Sequence, residues 1–397
     1  MSLKNVVLGV TGGVAAYKAL DVVSRLKKSG FNVDVIMTKS AAEFVTPLSF
    51  QGLSGNPVIT DMFDEPKAWE IQHISLAKKA DLLIVVPATA NIIGKVANGI
   101  ADDMLSTTIM AAALRCPVVF APAMNTYMYE NPIVQENIKK LKNYGYSFIN
   151  PESGRLACGD TGKGKLCDTE IISEIISSKL YDIKDLKGKK VMVTAGPTMA
   201  PIDPVRYITN RSTGKMGYAI ASEARDRGAE VTLISGETNI KVPFGVNFIR
   251  VSTNEEMLKA VLNNFIASDI VVKAAAVSDY KAKNYSSKKI KKSENNLAIE
   301  FVKDNDILKR LGEIKESQVL VGFAAESNDL IENALGKLER KNLDYIVAND
   351  ITASDTGFGS DNNKVFIISK EKNILELDKM SKKDVARELF NLINKKR

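Results

Sequence analysis

The chain opens the same kind of unit twice, and this constrains its fold more than any other feature. Asn5–Val10 (NVVLGV) is an apolar, β-branched run that ends in Thr11-Gly12-Gly13 and passes into a helical pattern, VAAYKALDVVSRLKKSG. Val191–Ala195 (VMVTA) ends in Gly196-Pro197, crosses a long polar loop and reaches Ser212-Thr213-Gly214 ahead of a second helical pattern, MGYAIASEARDRG. A strand apolar on both faces, a turn and an amphipathic helix is how a parallel α/β sheet begins. Two such openings in 397 residues predict two doubly wound, Rossmann-like α/β domains. With Leu186–Lys190 (LKGKK) read as the connection, the domains are expected at residues 1–189 and 190–397. The halves share an architecture and little sequence, so they do not form an array of short repeats.

Composition narrows the class. No apolar run is long enough to span a bilayer, and the N-terminus runs straight into a strand without a leader pattern. Three cysteines, Cys116, Cys158 and Cys167, make no disulfide framework, so a cytoplasmic protein is expected. The net charge of +7 suits either nucleic acid or small anionic substrates. His73 is the single histidine, so acid–base chemistry elsewhere falls to Cys, Lys, Asp, Glu or Tyr.

In the first half, further strands are predicted at Asn32–Met37, Asp81–Val86 and Pro117–Ala121. Ligands of open α/β sheets bind at the carboxyl ends of such strands. The Gly12-Gly13 turn is either a backbone cradle for a phosphate or a turn needed for close packing; it is not GxGxxG. Thr38 and Ser40 follow the second strand, Thr89 and Asn91 the third, with Ser106 and Thr107 further along. These small polar residues suit a planar ring and a phosphate. Asn125 either caps a turn or recognises a carboxylate. Gly159–Leu166 (GDTGKGKL) imitates a phosphate loop, but Leu166 stands where a hydroxyl is required and no strand run precedes it. It reads instead as a mobile lid carrying Cys158.

Four segments in this order carry a resemblance: HISLAKKAD, PATANIIGKVANGIADDMLST, PAMNTYM and GRLACGDTGKGKL. Together they resemble the flavin-dependent phosphopantothenoylcysteine decarboxylases, with Tyr129 where a tryptophan is usual. The resemblance implies a flavodoxin-like domain binding FMN at Gly12, Gly13, Thr38, Ser40, Thr89, Asn91, Ser106 and Thr107. It implies His73 as the base near the thiol, Asn125 as the carboxylate ligand and Cys158 as the proton donor of the final reduction. The chemistry needs such a site. A carboxylate on a cysteine-derived carbon has no electron sink until the neighbouring thiol is oxidised to a thioaldehyde.

The second half predicts strands at Val191–Ala195, Glu230–Ile234, Val246–Val251, Asp269–Lys273, Val319–Phe323, Asp344–Val347 and Lys364–Ile368, with helices between most of them and a closing C-terminal helix. The run KAKNYSSKKIKK is a solvated basic loop or a phosphate site, and Ser212 or Thr213 caps a helix whether or not it also meets a ligand. The segments GPTMAPIDPVRYITNRSTGKMG, KAAAVSDYK, KIKK, KDNDIL, GFAAES, LERKNLDYIVAND and TGFGSDNNKV resemble the phosphopantothenate–cysteine ligases. That resemblance implies activation of a carboxylate by CTP as an acyl-cytidylate, followed by attack of the cysteine amine. By the same resemblance Lys289, Lys337 and Lys341 meet the nucleotide, and Asp279 and Phe323 hold its base and ribose. Asn305, Asp306 and Ile307 join that substrate site, Asn210 recognises the acyl-cytidylate, and Arg206 and Ala275 lie near the pantothenate part. Mg2+ or Mn2+ would bridge the phosphates, without ligands that the sequence identifies.

The expectation is therefore a bifunctional flavoprotein ligase acting on 4'-phosphopantothenate, L-cysteine and CTP, without nucleic-acid or membrane partners. The resemblance further implies a homo-oligomer, a dodecamer built of decarboxylase trimers and ligase dimers. Two rivals are weaker. A nicotinamide-dependent oxidoreductase lacks its GxGxxG, and a nucleic-acid binder lacks clustered lysines and any helix-turn-helix or zinc-finger spacing.

Overall fold

The computed structural model describes residues 3–62, 71–157, 159–292, 297–326, 329–350 and 359–395. Cys158 lies outside the described residues. The chain divides into two compact units, Met1–Leu180 and Tyr181–Arg397.

In the first unit, β1 (Asn5–Val10), β2 (Asn32–Met37), β3 (Val58–Ile59), β4 (Leu82–Ala88), β5 (Val118–Pro122) and β6 (Ser147–Phe148) form one sheet. Its order is β3-β2-β1-β4-β5-β6, parallel throughout. Successive β1 residues feed opposite cores. Val6, Leu8 and Val10 pack with Val22, Leu26 and Ile176, whereas Val7 packs with Ile92, Leu105 and Ile109. Burial on both faces is why these strands read as continuous apolar runs. β3 and β6, two residues each, escape any periodicity argument.

The chain winds outward from β1 to β3, then returns to β4 and winds the other way, leaving a crevice where β1 and β4 end. Two bonds tie the loops there: Thr11 Oγ1 donates to the Pro87 carbonyl at 2.7 Å and accepts from the Thr89 N–H at 3.2 Å.

β7 (Glu152–Arg155) and β8 (Thr161–Lys165) form an antiparallel ribbon. This corrects the reading of residues 159–166 as a loop. A strand spelled TGKGK has no apolar face to announce it. Its glycines instead let a neighbouring loop come close: a Cβ at Gly164 would lie 2.3 Å from the Met124 carbonyl oxygen, and one at Gly162 would lie 2.5 Å from the Thr126 side-chain Oγ1.

The second unit contributes β9 (Lys190–Ala195), β10 (Met199–Pro201), β11 (Tyr207–Thr209), β12 (Glu230–Ser235), β13 (Asn247–Arg250), β14 (Ile270–Lys273), β15 (Tyr280–Ala282), β16 (Phe301–Lys303), β17 (Val319–Glu326), β18 (Tyr345–Asp350), β19 (Asn362–Ser369) and β20 (Ile374–Ser381). Eight of these form the sheet β13-β12-β9-β14-β17-β18-β19-β20, parallel up to β18 and antiparallel beyond. Helices Lys215–Asp226 and Lys382–Lys395 cover one face, and Asn254–Phe265, Ile307–Ile314 and Leu330–Arg340 the other. Two short ribbons, β10–β11 and β15–β16, take up much of the polar loops. The edge strand β20 was not foreseen.

Residues 181–189, which the expected boundary assigns to the first domain, pack onto this second unit. Leu186 is buried in its core. Tyr181 Oη donates to Glu223 Oε1 at 2.6 Å, Lys184 Nζ to the Asp226 carbonyl at 2.6 Å, and Asp185 pairs with Arg227 at 3.1 Å.

Candidate active sites

Two adjoining cavities open at the carboxyl ends of β1 and β4, with volumes of about 740 and 680 Å3. Gly12, Thr89 and Met128 border both. Thr38, Ser40 and Asn91 line the larger cavity, and Gly13 and Asn125 the smaller. The local sequence explains these positions. Thr38 and Thr89 are helix N-caps whose hydroxyls accept from the Ala41 and Ile92 N–H groups, which aims two positive helix ends at the crevice. A Cβ on Gly12 would strike Ser40 at 2.4 Å, whereas one on Gly13 would find only Thr89 Cγ2 at 3.8 Å. Gly13 therefore exposes backbone to the cavity. Met37, Met62 and Met104 add apolar wall to the larger cavity. Apolar walls with exposed backbone and capped helix starts fit a planar ring carrying a phosphate.

Ser106 and Thr107 line neither cavity. Ser106 is fully buried and closes a capping box with Asp103, accepting from the Asp103 N–H at 3.2 Å while its own N–H donates to Asp103 Oδ1 at 2.8 Å. Thr107 Oγ1 donates to the Ala101 carbonyl at 3.2 Å. It is Asp103 that lines the larger cavity. His73, on helix Gln72–Lys79, is half-buried and borders neither cavity. The immediate neighbour of Cys158, Ala157, does line the smaller one.

Asn125 is a helix cap, the first of the two readings offered for it. Its Oδ1 caps helix Thr126–Glu130, accepting from the Tyr127 N–H at 2.8 Å, and its Nδ2 donates to Asp160 Oδ2 at 3.0 Å. The carboxylate that this amide holds is the protein's own Asp160.

In the second unit a cleft follows the carboxyl ends of β14 and β17. Ala275, Asp279, Asn305 and Asp306 line one side of it, with Ile307, Phe323, Lys337 and Lys341. Lys341 pairs with Asp306 at 2.8 Å, and Lys337 Nζ donates to the Phe323 carbonyl at 3.2 Å. Burial pushes the Asp306 carboxyl up, but Lys341 and the Lys309 N–H outweigh it and hold the group below its ordinary range. The helix start Ser212–Gly217 borders the same cleft, Gly214 with a φ of 80°.

Three expected residues stand outside the lining of that cleft. Asn210 Nδ2 donates to the Ala276 and Val277 carbonyls at 3.2 and 3.0 Å. Arg206 Nη1 donates to Asp203 at 2.6 Å and to the Ile290 carbonyl at 3.1 Å. Lys289 is exposed.

Asp203 was missed by the sequence reading. It is 3% exposed and accepts from the Val205, Arg206 and Ile290 N–H groups, so it fastens the Arg206 turn to the loop carrying Lys289. Burial works against its charge, yet these N–H groups and the Arg206 guanidinium hold its pKa down at about 2. The signal was present as an Asp-Pro turn starter in IDPVR. Lys215, Lys273 and Lys382 also line the cleft and were not singled out. Among the described residues no group of three or more His, Cys, Asp and Glu could hold a metal ion, and no helix is long and apolar enough to cross a membrane.

Comparison with known proteins divides the chain where its units divide. Residues 1–181 match the family described as Flavoprotein, and residues 186–396 match the DNA/pantothenate metabolism flavoprotein C-terminal domain. The chain is 50% identical over 393 residues to the coenzyme A biosynthesis bifunctional protein CoaBC of Bacillus subtilis, covering 98% of this chain and 96% of that protein. The protein of the same name from Borreliella burgdorferi is 46% identical over 393 residues, covering 98% of this chain and 99% of that one. A crystal structure of the C-terminal domain of a CoaBC protein is 42% identical and covers 53% of this chain and 96% of its own, with a TM-score of 0.47. With both halves matched in order and nearly end to end, the chain belongs to the family of coenzyme A biosynthesis bifunctional CoaBC proteins.

Proposed function

We propose that this chain carries out two consecutive steps of coenzyme A biosynthesis. The second unit joins L-cysteine to 4'-phosphopantothenate at the expense of CTP, through an acyl-cytidylate. The first unit decarboxylates the product, with FMN, to 4'-phosphopantetheine. The observation that carries this reading is the family match along both halves, one flavoprotein and one pantothenate-metabolism domain. We read both units as doubly wound and Rossmann-like, which puts a ligand crevice at the strand ends of each.

In the first unit Gly12, Gly13, Thr38, Ser40, Thr89 and Asn91 hold the FMN. Bound there, the flavin supplies a reversible two-electron oxidation that gives carboxylate loss its electron sink. Asn125 turns its amide from Asp160 to the substrate carboxylate. Cys158 delivers the final proton beside Ala157, and His73 serves as base. His73 stands away from the cavities of its own unit, and a homo-oligomer accounts for that: a second copy brings the imidazole to the site. The oligomer we propose is the dodecamer of trimers and dimers.

In the second unit Lys337, Lys341 and the helix start at Gly214 receive the nucleotide, with Asp279 and Phe323 at its base and ribose. Asn305, Asp306 and Ile307 shape the same wall, and Ala275 and Arg206 face the pantothenate part. Asn210 and Lys289 act on the acyl-cytidylate. A divalent ion, Mg2+ or Mn2+, enters on the triphosphate, which needs few protein ligands. We place the protein in the cytoplasm, in keeping with buried, unbridged Cys116 and Cys167.

The test is incubation of the purified chain with 4'-phosphopantothenate, cysteine, CTP and Mg2+, with products followed by mass. Phosphopantetheine, CO2, CMP and pyrophosphate are expected. Cys158→Ala is expected to stop before phosphopantetheine while CMP release continues. Absence of CMP release overturns the ligase reading. Accumulation of phosphopantothenoylcysteine in the wild type, without bound flavin, overturns the decarboxylase reading.

Asp203 supports Arg206 and the Lys289 loop from beneath, so Asp203→Asn is expected to slow CMP release on the order of tenfold to a hundredfold by misplacing both. CO2 release from supplied phosphopantothenoylcysteine should be unchanged. The pH sign follows from the lowered pKa. The stability Asp203 contributes is complete above its unfolded value of 3.8 and is lost as pH falls through about 2. The variant should therefore lose the part of the acid unfolding profile that falls between those values.

A further inference from the structure

The ligase cleft contains a cation with no assigned part. Lys273 is the last residue of β14, a central strand paired with β9 and β17. It is half-buried and lines the cleft. A lysine at the end of a strand otherwise spelled IVV is costly unless something offsets its charge. Its Nζ donates to the Ala275 carbonyl at 3.1 Å. Among the described residues no carboxylate lies within ion-pair distance of it.

The groups facing it come from three other segments. Lys337, on helix Leu330–Arg340, and Lys341, just beyond that helix, repel it. Asp306, at the cap of helix Ile307–Ile314, and Asp279, ahead of β15, attract it. Asp306 is already committed to Lys341 at 2.8 Å. With Lys215 and Lys382, five lysines line a cleft that has two carboxylates, and the balance calls for an anionic ligand. Desolvation first, then the two neighbouring lysines, lower the Lys273 pKa from 10.5 to about 7.

We propose that Lys273 is a third cationic ligand of the nucleotide's polyphosphate, beside Lys337 and Lys341, and that it takes up a proton as the nucleotide enters. The inference rests on the reading of this cleft as the CTP site. Linkage fixes its sign. In the ligand-free protein the amine is largely neutral above pH 7, and a polyanion against it restores the ammonium. Binding therefore consumes a proton and weakens as pH rises, by up to about tenfold per pH unit.

The experiment is calorimetric titration of the full-length protein at pH 8, in buffers of different ionisation enthalpy, with CTP, inorganic tripolyphosphate and cytidine as separate probes. The nucleotide phosphates are already ionised at this pH. Uptake of close to one proton per site is expected with CTP, less with tripolyphosphate, which still carries a proton at pH 8 and releases it on binding, and none with cytidine. Lys273→Met is expected to bind CTP about tenfold to a hundredfold more weakly at pH 7, without proton uptake. Lys273→Arg, charged at every pH, should keep the affinity and lose its pH dependence. CTP binding without proton uptake, or uptake that persists in Lys273→Met, overturns the inference and leaves the CTP site standing. Uptake with cytidine overturns the assignment to the phosphates. Failure of the wild type to bind CTP at any pH overturns the site and the inference together.

Discussion

Gly164→Ala is expected to lower decarboxylation on the order of a hundredfold and to leave ligation unchanged. Gly164 has a φ of 131°, which L side chains rarely adopt, and an added Cβ would sit 2.3 Å from the Met124 carbonyl oxygen. The Met124 N–H donates to the Gly164 carbonyl at 3.0 Å, so ribbon and loop are joined backbone to backbone with no side chain to give way. Relief requires the β7–β8 ribbon to lift by roughly 1 Å, and a displacement of that size costs about a hundredfold where reacting groups must be aligned. The moved parts matter to the reaction: Asn125 follows Met124 directly, and in sequence Cys158 falls between the two strands of the ribbon. The readouts are CO2 release from supplied phosphopantothenoylcysteine and CMP release from the ligase substrates. Gly154→Ala is the control on the same ribbon, because its Cβ would meet only Lys165 Cδ at 3.4 Å. Equal losses in both variants would sink the argument.

Arg227→Met is expected to destabilise the second unit by about 3–5 kcal/mol, the cost of removing one partner from a buried ion pair. Arg227 and Glu223 are both fully buried and bonded at 2.8 Å. Arg227 also pairs with Asp185 at 3.1 Å, donates to the Arg387 carbonyl at 3.0 Å and to Asn391, and lies over the Phe390 ring at 5.8 Å. It therefore pins the entry segment and the C-terminal helix to helix Lys215–Asp226. Without it Glu223 keeps only Tyr181 at 2.6 Å, and its Oε2 is already unpartnered among the described residues. Adding Glu223→Gln should recover part of the loss, because it removes the stranded charge. The measurement is denaturant unfolding of the full chain, fitted with separate transitions for the two units. A change below about 1 kcal/mol would mean that the pair contributes little beyond what packing supplies.

Local signals carried much of what could be anticipated. The central parallel strands, such as Asn5–Val10 and Leu82–Ala88, follow from apolar runs closed by turn residues, because a strand buried on both faces is apolar along its length. The cleft residues from Ala275 to Lys341 were legible through the resemblance of their segments to the ligase family, and the structure gathers them along one cleft.

Other features had no local signature. Ser106 and Thr107 have the chemistry of cofactor ligands, yet helix capping and a backbone carbonyl engage them first. β8 is glycine and lysine in sequence and becomes a strand only because another loop lies close enough to exclude side chains.

The amino-acid sequence by itself determined that there are two α/β units, where most of their strands run and which reactions they serve. Those properties reside in periodicity and in contiguous motifs. Only the tertiary structure decided that residues 181–189 belong to the second unit, that Asp203 anchors Arg206, that Arg227 is buried with its partners, and that Lys273 meets Lys337 and Lys341. In most of these the partners come from distant parts of the chain. A side chain's charge and environment are set by what packs against it, which spacing along the sequence does not encode.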